Sequence, residues 1–188
     1  MADHGFALFD TAIGRCAIAW SARGILAVQL PEADERKTRA RLLRRARAAS
    51  EQPPPPAVQC VIDGIVGLFA GEAVDLTSVE LDMDGVPPFN RRVYEIARTI
   101  PPGATLTYGE IAARLGVPDL ARSVGQAMGQ NPSPPIVPCH RVVAAGRKAG
   151  GFSANGGVRT KLRLLAIEGA QVDGTCPLFD RPGSKSAA

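Results

Sequence analysis

Cys139 lies in the run Pro138-Cys139-His140-Arg141-Val142, where a thiol, an imidazole and a guanidinium are consecutive. A thiol is an effective nucleophile at neutral pH only when a neighbouring group draws off its proton. The chain holds two histidines, and the other, His4, lies within the first few residues. His140 is therefore the natural base for any chemistry at Cys139. In extended chain, neighbouring side chains point to opposite sides, so adjacency alone does not set the imidazole on the sulfur. The alternative is a structural thiol buried for packing.

Composition narrows the classes of function. The 188 residues are 45% hydrophobic, enough for a packed core and too apolar for a disordered chain. No apolar run approaches the ~20 residues of a membrane span, and Met1-Ala2-Asp3-His4 does not begin a secretion signal. Cys16, Cys60, Cys139 and Cys176 are widely spaced, which argues against a disulfide scaffold or zinc ribbon and for a reducing, cytoplasmic setting. A zinc site from Cys16, Cys60 and His4 is not expected. Net charge is +4, unevenly spread: Phe89 to the end carries 13 basic and 6 acidic residues, Met1 to Pro88 carries 9 and 12. The positive excess sits in the half that holds Cys139, a bias suited to a polyanion.

The elements that must carry these groups follow from pattern. Phe6–Phe9, Cys16–Trp20 and Ile25–Leu30 read as a three-stranded meander joined by Gly14-Arg15 and Arg23-Gly24. Ala33–Ala49 reads as a helix with Leu42 and Leu43 inward; its seven basic residues from Arg36 to Arg47 are taken as a solvated face rather than a nucleic-acid patch. Pro53–Pro56 is a stiff connection, Val58–Phe69 a helix, and Val79–Met83 one more strand. Asp84–Pro88 reads as a linker, which gives domains 1–86 and 87–174, with 175–188 as a flexible tail.

In the second half, Phe89, Val93, Ile96, Ala97 and Ile100 share a helical face. Thr107 and Glu110 fit a capping box opening a helix that Gly116 ends. Asp119 is expected to cap a second helix from Leu120 to about Gln130, completing a helix-turn-helix outline. Ala121, Ser123, Gly125, Ala127 and Gly129 keep that helix small, for tight packing or for a nucleic-acid groove, and Arg122 is its one long cation. Pro134–Pro138 is expected to be extended, the glycine-rich stretch from Gly146 to Gly157 a mobile loop, and Arg159–Glu168 the last helix.

Together these blocks resemble the O6-alkylguanine-DNA alkyltransferases, also called methylated-DNA–protein-cysteine methyltransferases. The resemblance rests on Pro138–Val142, Thr107-Tyr108, Ala121–Gly125, Asn131-Pro132 and Leu164–Gly169, in the family's order and close to its spacing. It covers residues 87–170 firmly and the first half loosely. It implies a ribonuclease-H-like α/β domain followed by a mainly helical domain with a winged helix-turn-helix-like motif. The partner it implies is double-stranded DNA containing alkylated guanine, bound in the minor groove by a monomer, with the damaged nucleotide flipped out.

By the same resemblance Cys139 takes the alkyl group and His140 acts on it through a bridging water. Glu168 orients His140, and Asn131 steadies the turn that holds Cys139. Tyr108 promotes rotation and donates to the guanine ring, and the Ser153 amide donates to O6. Arg122 fills the gap in the base stack, Ala121, Ser123 and Gly125 line the DNA face, and Val142, Pro134 and Phe152 join Ser153 around the pocket. No residue is suited to hydrolysing the thioether product, so one molecule acts once, without cofactor or metal. Gly129 stands where some relatives have a basic residue, and the segment around Ala154-Asn155 is longer than in the shortest ones. Two other readings are a lesion-binding protein without repair activity, whose relatives replace the cysteine retained here, and a cysteine hydrolase, which leaves the helix-turn-helix unused.

Overall fold

The computed structural model describes residues 4–172; the expected tail at 175–188 lies outside them. The meander forms as the pattern predicts: β1 (Gly5–Thr11), β2 (Gly14–Ser21) and β3 (Gly24–Gln29) pair antiparallel in sequence. A two-residue strand β4 (Ser50–Glu51), which carries no apolar pattern, adds parallel to β1 and gives the order β3-β2-β1-β4.

Alternation along the strands buries both faces of the sheet. Ala17, Ala19 and Ala27 face Leu42 and Ala46 of the α1 region, while Cys16, Ile18 and Trp20 face Val58, Ile62, Ile65 and Phe69 of α2 (Pro56–Phe69). Helix α1 spans Glu35–Leu43, shorter than the expected Ala33–Ala49; Asp34 sets its start by accepting from the Lys37 amide at 2.8 Å, and the helix stops at Leu43 with Arg44 as its C-cap. The expected strand at Val79–Met83 reduces to one bridge between Leu81 and Ile25. Its alternation is strand-like, but the Asp82 carboxylate takes hydrogen bonds from Ser21 (2.6 Å) and Arg23 (3.2 Å), which turn the chain away from the sheet edge.

The second half is built on α3 (Pro88–Arg98), α4 (Tyr108–Arg114), α5 (Ala121–Gly129) and α6 (Val158–Ile167). A short parallel pair, β5 (Leu106–Thr107) with β6 (Val142–Val143), joins the start of α4 to the residues just after Cys139. The capping box at α4 is present: the Thr107 hydroxyl accepts from the Glu110 amide at 3.1 Å and the Glu110 carboxylate accepts from the Thr107 amide at 2.6 Å. Gly116 ends this segment with φ +76. Asp119 does not cap α5. Pro118–Leu120 forms a 3-10 turn instead and Leu120 takes the cap position without a side-chain bond.

The halves meet at the sheet edge and in a shared core. The amide of Val28 on β3 donates to the Pro132 carbonyl at 2.9 Å, and Ile136 and Leu164 enter the core between the sheet and α2. The loop leading to Cys139 thus rests on the edge strand. Among the described residues no helix is long and apolar enough to cross a membrane.

Ile65 is fully buried in that shared core. Ile65→Ala is expected to lower unfolding free energy by about 2–5 kcal/mol, read from urea denaturation curves.

Candidate active site

The nucleophile stands on a turn rather than on extended chain. Cys139–Arg141 is a 3-10 turn, and the Pro134–Pro138 segment before it is also folded into turns, with the Val137 amide donating to the Ser133 carbonyl at 2.9 Å. Strand alternation therefore does not govern where His140 points. Asn131 explains the bend: its Oδ1 accepts from the Ser133 amide at 2.9 Å and its Nδ2 donates to the Val137 carbonyl at 2.8 Å. One buried side chain ties both ends of the loop below the thiol.

Behind Cys139 lies a sealed charge cluster. His140 is 1% exposed, and its Nε2 lies 2.8 Å from Glu168 Oε1. Arg141 donates to the same carboxylate twice, Nε to Oε2 at 2.9 Å and Nη2 to Oε1 at 2.8 Å, and its Nη1 donates to the Ile100 carbonyl at 2.6 Å. An ionised carboxylate accepts only, so Nε2 must carry the ring proton, and Nδ1, which has no protein partner, keeps a lone pair. Burial holds the His140 imidazole below its ordinary range against the pull of Glu168. Although burial alone would raise it, Glu168 is brought down to about 2 by its bonds with His140 and Arg141. At neutral pH the cluster is a neutral imidazole beside a carboxylate and a guanidinium.

Cys139 itself is 6% exposed, and burial raises its thiol, opposed by Asn131, Lys161 and nearby amides. It lies at the floor of a cavity of about 750 Å³ whose walls include Tyr108, Arg122, Gly125, Gly129, Phe152 and Ser153. Ala121 also lines it, whereas Ser123 is half-buried outside it. Val142 is fully buried behind the wall, and Pro134 stands outside the lining as well. Gly125 faces the Tyr108 ring, where an added Cβ would make ordinary contact at 3.8 Å. Arg122 is exposed at the cavity.

Lys161 and Arg141 are functional neighbours that pattern reading did not assign. The Lys161 ammonium is buried, donates to the carbonyls of Val142 (2.6 Å) and Gly151 (3.3 Å), and faces the rings of Tyr108 and Phe152 at 5.7 and 6.0 Å. Burial lowers it to about 8, with Cys139 acting in the opposite sense. It fastens the strand after the nucleophile to the glycine-rich wall and sets a cation near the sulfur. Its signal in the sequence was a lysine at helical spacing from Leu164 and Leu165. Cys16 is packed in the sheet core, where burial takes its thiol to about 12, and Cys60 is exposed on α2.

Residues 88–170 match the family described as 6-O-methylguanine DNA methyltransferase, DNA binding domain. The methylated-DNA–protein-cysteine methyltransferase of Methanothermobacter thermautotrophicus is 35% identical over 157 residues, 84% of this chain and 81% of that protein. The protein of the same name from Mycobacterium bovis is 43% identical over 128 residues, 68% and 75% of the two chains. The crystal structure of Mycobacterium tuberculosis O6-methylguanine methyltransferase superposes with TM-score 0.72 at 33% identity, covering 94% of this chain and 99% of that one. The structure of Mycobacterium tuberculosis OGT in complex with DNA gives 0.70 at 33% identity, over 87% and 92%.

Removing the charge of Glu168 leaves Arg141 buried without its counterion. Glu168→Gln is expected to cost about 3–5 kcal/mol at pH 7. Because the folded carboxyl titrates near 2 and an unfolded one near ~4.3, its contribution is present above the unfolded value and lost as pH falls through about 2. Urea denaturation of both proteins across that range should show the difference shrinking as the pH drops.

Proposed function

This chain belongs to the methylated-DNA–protein-cysteine methyltransferase family, and we propose that it repairs DNA by moving an alkyl group from guanine O6 to the sulfur of Cys139, once per molecule. The observation that carries this reading is the arrangement around one thiol. Cys139 faces an open cavity, and behind it a neutral imidazole is locked by Glu168 with its Nδ1 lone pair unengaged by protein.

The reaction follows from those groups. A buried thiol stays protonated at rest, which protects it from adventitious oxidation. When the base is seated, the Cys139 proton passes to His140 Nδ1 by way of a bridging water, and Glu168 stabilises the imidazolium that forms. The thiolate attacks the alkyl carbon in one displacement; the C–S bond forms as the C–O6 bond breaks, and the electron pair leaves with guanine. The Tyr108 hydroxyl, donating at ring N3, and the Ser153 amide, donating at O6, offset the developing negative charge. Burial keeps the Tyr108 hydroxyl protonated beyond its usual range, suiting it to donation. The product is a thioether, whose C–S bond water and an imidazole do not cleave, so the protein is consumed.

Such chemistry needs the nucleotide outside the stack. We take α4 and α5, with β5–β6 as the wing, as a helix-turn-helix whose small-residue face enters the minor groove, where backbone contact outweighs sequence reading. Arg122 would occupy the gap in the stack. The sheet with α1 and α2, in residues 1–86, is read as ribonuclease-H-like, and a single copy of the chain is taken as the active unit.

Incubating the protein with duplex DNA carrying radiolabelled O6-methylguanine should place one label per protein molecule, on Cys139. Cys139→Ala should bind the duplex and take no label, whereas repeated turnover would contradict the proposal. Arg122→Ala is expected to slow repair of duplex by about tenfold or more, some 1.4 kcal/mol, while slowing reaction with free O6-alkylguanine base far less. Single-turnover kinetics on both substrates reads that split.

A further inference from the structure

The C-terminal end of α1 meets the rim of the cavity, although it belongs to the sheet-bearing half. Arg41 Nη2 donates to the Ser153 carbonyl at 2.9 Å, and Arg45 Nη1 donates to the Gln130 carbonyl at 3.2 Å. Ser153 lines the cavity, and Gln130 directly follows Gly129, which lines it too. Arg44 is three residues from Arg41 and so shares its side of the helix.

Charge pairing differs between the two ends of this segment. Lys37 meets Asp34, Arg39 meets Glu35 and Glu51, and Arg41 meets Glu32. Arg44 and Arg47 are exposed, Arg45 is exposed along its stem with its guanidinium turned in against the Gln130 carbonyl, and none of the three has a carboxylate partner among the described residues. Of these, Arg45 reaches the cavity rim through Gln130, Arg44 lies on the side of the helix that Arg41 turns toward Ser153, and Arg47 follows two residues after Arg45. Burial against Gln130 first, and then the charges of Arg41 and Arg44, lower the Arg45 guanidinium from its ordinary value. A like-charged cluster of this kind is relieved by a polyanion, and guanidinium forks suit phosphate oxygens.

We infer that Arg44, Arg45 and Arg47 form a second DNA contact, on backbone phosphates beside the extruded nucleotide, so that the sheet-bearing half takes part in binding. This deepens the function proposed above and rests on the cavity being the seat of the flipped base. The occupant is the sugar-phosphate backbone, recognised by charge and without base reading.

The test uses the full chain, a duplex of defined length and a salt series. Each lost phosphate contact flattens the plot of log binding constant against log salt by about 0.9. Arg44→Gln with Arg47→Gln should therefore flatten it by about 1 to 2 and weaken binding at low salt by about tenfold. Arg44→Lys with Arg47→Lys should retain the wild-type slope, because charge is kept. The single Gln variants, each expected to give about half the change, serve if the double variant is poorly folded. An unchanged slope in the Gln variants, or an equal loss in the Lys variant, overturns the inference. Label uptake at Cys139 by the wild type on a methylated duplex separates the two proposals. Label with an unchanged Gln slope removes the α1 contact alone; absence of label removes the cavity reading and this contact with it.

Discussion

One carboxylate sets the terms for everything around the reactive thiol. Glu168 is buried between an imidazole and a guanidinium, and each side of it solves a different problem. Toward Arg141 it neutralises a charge that can neither be deprotonated nor left alone in the interior. Toward His140 it fixes a tautomer, and with it which nitrogen can receive a proton. Position and protonation state are thus determined together. The bond from Arg141 to the Ile100 carbonyl extends the same lock to the end of α3. A loop of turns, which on its own would sample many shapes, is held at one side by Glu168 and at the other by Asn131.

The sheet contributes by supporting that loop rather than by adding a reactive group. Val28 on the edge strand holds the Pro132 carbonyl, and Ile136 and Leu164 are packed into the sheet's own core. A buried core is close-packed and transmits displacement poorly absorbed elsewhere, so the edge strand is a rigid footing for the nucleophile. Lys161 adds a further tie from α6 to the chain on both sides of the cavity wall. The floor and the glycine-rich wall of the cavity are thereby tied to buried groups.

Much of this was legible in the residues. The meander followed from short apolar runs between glycine turns, and the α4 start from Thr107 and Glu110, because both depend on neighbours within a few positions. Cys139 and His140 stood out by type and adjacency. The roles expected for Glu168 and Asn131 came from resemblance alone, since 28 residues separate His140 from Glu168 and no local rule joins them. The pairing of Arg141 with Glu168 is invisible in the sequence for the same reason. Lys161 was hidden because a lysine among leucines reads as a surface residue, and its acceptors are backbone carbonyls that no side-chain pattern reveals. The basic run on α1 reads as a solvated face from composition, and its approach to Ser153 and Gln130 depends on how the two halves pack.

The chemistry at Cys139 depends on a neutral His140 with its proton on Nε2 and a bare Nδ1, buried without a protein partner. The chain has only two histidines, so 15N-labelled imidazole signals can be assigned with a single His4 substitution. NMR of the free protein across neutral pH should show His140 with a protonated Nε2 and an unprotonated Nδ1. An imidazolium at pH 7, or a proton on Nδ1 in place of Nε2, would contradict the account.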